Sequence, residues 1–148
     1  MQNTFNFIQL TPDVATSGYL LEDDFKSISK GGYVAVINLA MPDHKRSLAN
    51  EGKLVTEQGM SYFHIPVAFD KPLSEQVCLF CEIMKSFQGK KVWVHCIMNY
   101  RVSVFMYHYL TKVEGVSEIK AMSPIFKQWE MDDVWKNMFS LTSKEIGI

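Results

Sequence analysis

A cysteine at 96 and an arginine at 101 bracket four residues in the stretch VWVHCIMNYRVSVF. A thiol attacks as its thiolate, the form that is nucleophilic. A guanidinium presents a planar fork of donors that matches an oxyanion such as phosphate or sulfate. The segment between them leads from an apolar, β-rich run, Val92-Trp93-Val94, into the helical pattern of 101–113. The first backbone N–H groups of a helix have no intrahelical partner, and the helix dipole adds positive potential there. A free cysteine titrates at about 8.5, and such surroundings lower that by one to several units. Arg101 stands at the end of a helix where the dipole disfavours a cation, so its position itself points to an anion nearby. Nucleophile, N–H cradle and guanidinium together make a site that attacks an anionic centre.

Strands must carry these residues to one edge. FNFIQL (5–10) predicts a first strand and TPDVATSGYL (11–20) a turn followed by extended chain. EDDFKSISKGG (22–32) predicts a helix with an acidic start and a glycine pair at its end. YVAVINLA (33–40) is a nearly continuous apolar run and suits a strand buried on both faces. A loop over 41–47 and a weaker helix over 47–58 follow, then a strand over 60–67. Ser74 is placed to cap a helix with Leu73, Val77, Phe80, Cys81, Met84 and Phe87 on one face, closed by Gly89. KKVWVH (90–95) is the next strand, and RVSVFMYHYLTKV (101–113) the next helix. The tail, 117–141, with Trp129, Trp135 and Phe139, predicts one or two helices packed on the domain. Strands alternating with helices imply a single α/β domain over 1–148, with a mostly parallel central sheet flanked by helices. Ligands of such sheets bind at the carboxyl ends of the strands, here the loops 40–46, 66–73 and 96–101.

These residues resemble the signature of cysteine-dependent protein tyrosine and dual-specificity phosphatases: HC, a short loop, R and a nearby S, after a strand and before a helix. YVAVINLAMPD resembles that superfamily's second strand and following loop. YFHIPVAFDKPLSEQV resembles its "IPV" strand, acid-loop region and next helix, and VWVHC the strand that delivers the nucleophile. The likeness covers most of 5–115 and is nearest to a bacterial branch of small phosphatase-like proteins with a shortened HCxxNxRxS loop. It implies a phosphatase-like hydrolase of phosphomonoesters, acting on a phosphorylated protein or small molecule, with no metal and no cofactor. Cys96 is then the nucleophile that forms a phosphocysteine, and Arg101 clamps the phosphoryl oxygens. Ile97, Met98, Asn99, Tyr100 and Arg101 supply backbone donors. His95 sits behind the loop and helps keep the cysteine ionised, and Ser103 donates to the thiolate or to the leaving sulfur. The leaving group needs a proton donor. The resemblance points to Asp70, 26 residues before Cys96, with Asp43 in AMPDHK as the other carboxylate at that edge.

The loop is one residue shorter than in typical members, and Val102 stands where the usual arginine would fall. Asn99 replaces the usual central glycine, and asparagine tolerates left-handed backbone. The shorter length matches rhodanese-type sulfurtransferases, whose cysteine carries a persulfide. Three readings follow: a phosphatase, which the flanking INL, IPV and VHC strands favour; a sulfurtransferase using a Cys96 persulfide; and a weakly active phosphate-binding module.

The remaining features have plainer readings. A net charge of −1 without charge blocks argues against nucleic-acid or anionic-membrane binding as the main role. No apolar run approaches a bilayer span, the start lacks a signal-peptide pattern, and three cysteines suit a reduced, cytoplasmic chain. Cys78 and Cys81 read as helix residues, with Cys81 packed in the core, rather than a zinc pair; a disulfide to Cys96 is the minor alternative. His64 reads as a core histidine, His44 and His108 as surface residues.

Overall fold

The computed structural model describes residues 3–148. Five strands form one sheet: β1 Ile8–Gln9, β2 Val14–Ser17, β3 Ala35–Asn38, β4 Ser61–His64 and β5 Val92–His95, in spatial order β1-β2-β5-β3-β4. β2, β5, β3 and β4 run parallel, and β1 pairs antiparallel at the edge. The α/β class with a mostly parallel sheet is thus the observed architecture. The segment read as extended chain within 11–20 contains β2, a full sheet strand in register with β5, Val14 opposite Val92 through Ser17 opposite His95.

Every residue of β2, β3 and β5 is buried, which is why they read as apolar runs without alternation. The pleat nevertheless sends alternate side chains to opposite cores. Ala35, Ile37, Val92 and Val94 join a large core on the face of α3 (Ser74–Ser86) and α4 (Tyr100–Lys112). Val36 and Trp93 join a smaller core with Phe25 and Ile28 of α1 (Asp24–Lys30) and Val55 of α2 (Glu51–Glu57). β4 is an edge strand, exposed or half-exposed throughout. After α4 come α5 (Glu118–Ala121), a 3-10 turn (Pro124–Lys127), α6 (Asp133–Phe139) and α7 (Ser143–Ile146). Among the described residues no helix is long and apolar enough to cross a membrane.

Three local expectations change. His108 is fully buried rather than superficial: α4 is covered on all sides, and His108 Nε2 donates to the Met138 carbonyl of α6 at 2.7 Å. Burial lowers its pKa to about 4. His64 is exposed rather than core, because β4 lies at the sheet edge, though its Nε2 donates to Ala40 O at 2.7 Å. The N-cap of α3 is Leu73, with Ser74 already helical; Gln76 Oε1 accepts from Leu73 N at 3.0 Å. All three cysteines are free. Burial pushes the Cys81 thiol up to about 12, as suits a core residue.

Candidate active site

β5 is the sheet's central strand, and its last residue, His95, leads directly into Cys96, which is fully buried. Cys96 N donates to Ser17 O at the end of β2, and Leu39 N donates to His95 O, so both neighbouring strands hold the turn. The chain then reverses through Asn99, whose φ of 67° and ψ of 7° are left-handed. Asn99 is the N-cap of α4 and is fully buried. Its Nδ2 donates to Asn6 O (2.9 Å) and Thr16 Oγ1 (3.0 Å), which offsets the strain of positive φ with two buried hydrogen bonds.

The N-terminal segment straps the same loop. Asn6 Nδ2 donates to Met98 O (3.0 Å), and Tyr19 N donates to Ile97 O (3.0 Å). Gly18 lies beneath that strap, and a Cβ there would collide with the Ile97 carbonyl and the Phe5 ring. Among the described residues, none of the backbone N–H groups from Ile97 to Val102 has a protein acceptor. Such a run of free donors at the start of a thirteen-residue helix is a cradle for an anion.

Arg101, on the first turn of α4, is 6% exposed and has no carboxylate partner among the described residues. Its Nη1 donates to Val67 O at 2.6 Å, and its guanidinium carbon lies 5.9 Å from the Phe69 ring centre. A buried cation paired only with a carbonyl is costly unless an anion completes it. Arg101 lines a cavity of about 500 Å³ together with Met41, Asp43, His44, Lys45 and Phe69. Asp43 therefore borders the cavity beside Arg101. Asp70, next to Phe69, is exposed and does not line it. Ser103 Oγ donates back to Asn99 O at 2.7 Å, so its proton is directed at the helix start rather than at sulfur. Among the described residues no group of three His, Cys, Asp or Glu could hold a metal ion.

Two features of the surroundings escaped the sequence. His95 Nδ1 donates to Cys96 O (3.2 Å), and its Nε2 lies 2.7 Å from Glu51 Oε2. Glu51 begins α2; a glutamate followed by Gly52 and Lys53 carries no signal of burial. The second feature is the tail's grip on the mouth. Trp135 Nε1 donates to Phe69 O at 2.7 Å, and Trp129 stacks on Tyr100 at 4.8 Å, nearly parallel. The tryptophans were expected to dock the tail, but nothing in their spacing tells that they dock on the 66–73 loop.

No family model matches the chain, and no curated protein matches it. Solved structures do. A crystal structure described as "Putative phosphatase (DUF442)" from Shewanella putrefaciens CN-32 is 32% identical, with a TM-score of 0.86, covering 98% of this chain and 95% of that one. PTPMT1 in complex with PI(5)P is 17% identical, with a TM-score of 0.78, and the alignment covers 95% of this chain and 96% of that one. TpbA of P. aeruginosa in complex with pTyr is 14% identical, with a TM-score of 0.62, covering 79% and 69% of the two chains. The last two likenesses concern the fold.

Proposed function

This chain belongs to the DUF442 family of phosphatase-like proteins, and from that premise we propose that it hydrolyses phosphomonoesters through a phosphocysteine on Cys96. The observation that carries the reading is the run of N–H groups from Ile97 to Val102 left without protein acceptors, between a thiol and an unpaired guanidinium. In this reading the cradle and Arg101 bind the phosphoryl oxygens and stabilise the charge that spreads over them in the transition state. The Cys96 thiolate attacks phosphorus. The P–S bond forms as the ester P–O bond breaks, and the leaving oxygen takes a proton from a carboxylic acid. Water then attacks phosphorus, inorganic phosphate departs, and the thiolate is restored.

Asp43 supplies that proton from the cavity it shares with Arg101; Asp70 supplies it only if the 66–73 segment brings it past Phe69. The substrate is a phosphorylated protein or small molecule, in keeping with the phosphoinositide and phosphotyrosine complexes of the structural relatives. Cys96→Ser is expected to abolish hydrolysis of p-nitrophenyl phosphate while the protein still binds phosphate. Sulfur transfer from thiosulfate by a wild type silent toward the ester would replace this reading with the persulfide one. Phosphate binding without turnover by the wild type would reduce it to a binding module.

A further inference from the structure

His95 and Glu51 are 3% and 4% exposed, among the most deeply buried ionisable groups of the chain. Each ring nitrogen of His95 faces an oxygen. On one side is the Cys96 carbonyl, 3.2 Å from Nδ1, which carries no proton; Nδ1 must therefore be the donor. On the other is Glu51 Oε2, 2.7 Å from Nε2, with one proton between them. The neighbours of Glu51 decide where that proton sits. Asn38 Oδ1 accepts from Ala40 N at 2.8 Å, which fixes the amide so that Nδ2 donates to Tyr62 Oη at 3.1 Å. Tyr62 Oη accepts from Asn38, keeps its own proton to donate, and lines the same cavity as Glu51. A carboxyl group that faces a ring nitrogen at 2.7 Å, with the Tyr62 hydroxyl in the same cavity, is best matched by a protonated ring. The cavity of about 140 Å³ beside Glu51 is lined also by Tyr62 and His64 and holds no lysine or arginine. His64 spends its Nε2 proton on Ala40 O. Of the groups facing Glu51, His95 is the one that brings a ring nitrogen within hydrogen-bond distance of its carboxylate.

We propose that Glu51 is a positioning residue for Cys96: it holds His95 as an imidazolium that grips the Cys96 carbonyl and sets a positive charge against the base of the nucleophile. The inference rests on the reading of Cys96 as that nucleophile. Its sources are spread along the chain, with Glu51 on α2, Tyr62 and Asn38 on β4 and β3, and His95 on β5. α2 thereby does chemistry although it lies on the face of the sheet away from α4. A charge held there favours the thiolate over the thiol and favours the doubly negative phosphoryl adduct next to it.

The test uses the full chain and the isosteric Glu51→Gln, which keeps the volume and can donate to Nε2 but carries no charge. Peptide-resolved alkylation by iodoacetamide reads each cysteine separately across pH. We expect the alkylation midpoint of Cys96 to rise by about one pH unit in Glu51→Gln, with Cys78 and Cys81 unmoved. In the wild type, ¹⁵N spectra of the His95 ring should show both nitrogens protonated at pH 7. A singly protonated ring, or an unmoved Cys96 midpoint in a folded Glu51→Gln, overturns the inference. The wild-type spectrum decides alone if the variant does not fold. Failure of the phosphatase reading looks different: the Cys96 midpoint shifts as expected, yet p-nitrophenyl phosphate is not hydrolysed.

Discussion

Behind the Cys96–Arg101 loop lie Asn38, Glu51, His95 and Asn99, all buried, with side-chain hydrogen bonds to one another, to Tyr62, to Thr16 or to backbone. In front of it lie Asp43, His44, Lys45, Phe69 and Asp70, all exposed, with neither aspartate in an ion pair among the described residues. The contrast follows from where each part comes from. The wall is made by strand ends and by the strap over β2, whose geometry the sheet dictates. The mouth is made by the loops 41–47 and 66–73. A hydrogen-bonded buried network fixes positions to within a rotamer, which suits a nucleophile and its cradle. Exposed carboxylates leave rotamers free and stay in water until a substrate arrives. The wall therefore sets where attack occurs, and the mouth sets what is protonated and what is admitted.

The sharpest test of that division is the aspartate pair. A proton donor contributes roughly 10²–10⁴-fold to such a reaction. Asp43→Asn should lower kcat by about that factor for an alkyl phosphate, with a smaller loss for p-nitrophenyl phosphate, whose leaving group needs no proton. Asp70→Asn should leave both rates nearly unchanged. The opposite pattern would mean that the 66–73 loop moves in on the substrate, so that the mouth described above is its open form. Neither variant should change the thermal midpoint, because both side chains are exposed.

Arg101 spans both regions, since it rises from the cradle and donates to Val67 O at the root of the mouth loop. Arg101→Ala should cost on the order of 10²–10³ in kcat/KM and weaken vanadate binding. Arg101→Lys should recover little, because an ammonium cannot reproduce the fork. Full recovery by lysine would show that only the charge matters there.

Much of the wall was legible because it is written locally. The HC…R spacing, the apolar β5 and the helical period of α4 are short-range patterns, and Asn99 carries its own reason for left-handed backbone. Glu51, Tyr62 and Thr16 were not legible as site residues. Each is placed by sheet order, with β5 inserted between β2 and β3, and pairing across that distance leaves no spacing in the sequence. β2 itself was read only as extended chain, since four residues beside a threonine-proline turn look like a loop until β5 supplies their hydrogen bonds. His64 and His108 were read the wrong way round for the same reason. Whether a position is core depends on which strand is at the edge and on whether a tail covers α4.

The tail offers a smaller way to loosen the mouth while the wall stays intact. Trp135 is fully buried and donates to Phe69 O. Trp135→Phe keeps most of the apolar volume but removes that donor, a loss of about 1 kcal/mol in stability. Phe69 then has less to hold it over Arg101. We expect KM for p-nitrophenyl phosphate to rise about threefold with kcat held within twofold, the split expected when admission rather than chemistry is disturbed. An equal fall in kcat would place the tail in the chemistry and erase the distinction between wall and mouth.

The smallest effect at neutral pH should come from His108, which ties α4 to the tail through Met138 O. Burial first, and nearby Lys112 to a lesser degree, lower its folded pKa to about 4 from the ordinary 6.5, while the hydrogen bond to Met138 opposes the shift. A base whose folded pKa is depressed binds fewer protons folded than unfolded, so stability rises with pH across that window. Its contribution is intact above pH 6.5 and is lost as pH falls toward 4, up to about 3 kcal/mol. His108→Gln can still donate to Met138 O and has nothing to protonate. Urea midpoints of the two proteins should move in parallel from pH 8 to 7. Between pH 6.5 and 4.5 the wild type should lose more than the variant, because carboxylate protonation acts on both and cancels in the difference. If the two fall equally, the tail's acid response lies outside the His108–Met138 contact, and the mouth is held in acid by the tryptophans alone.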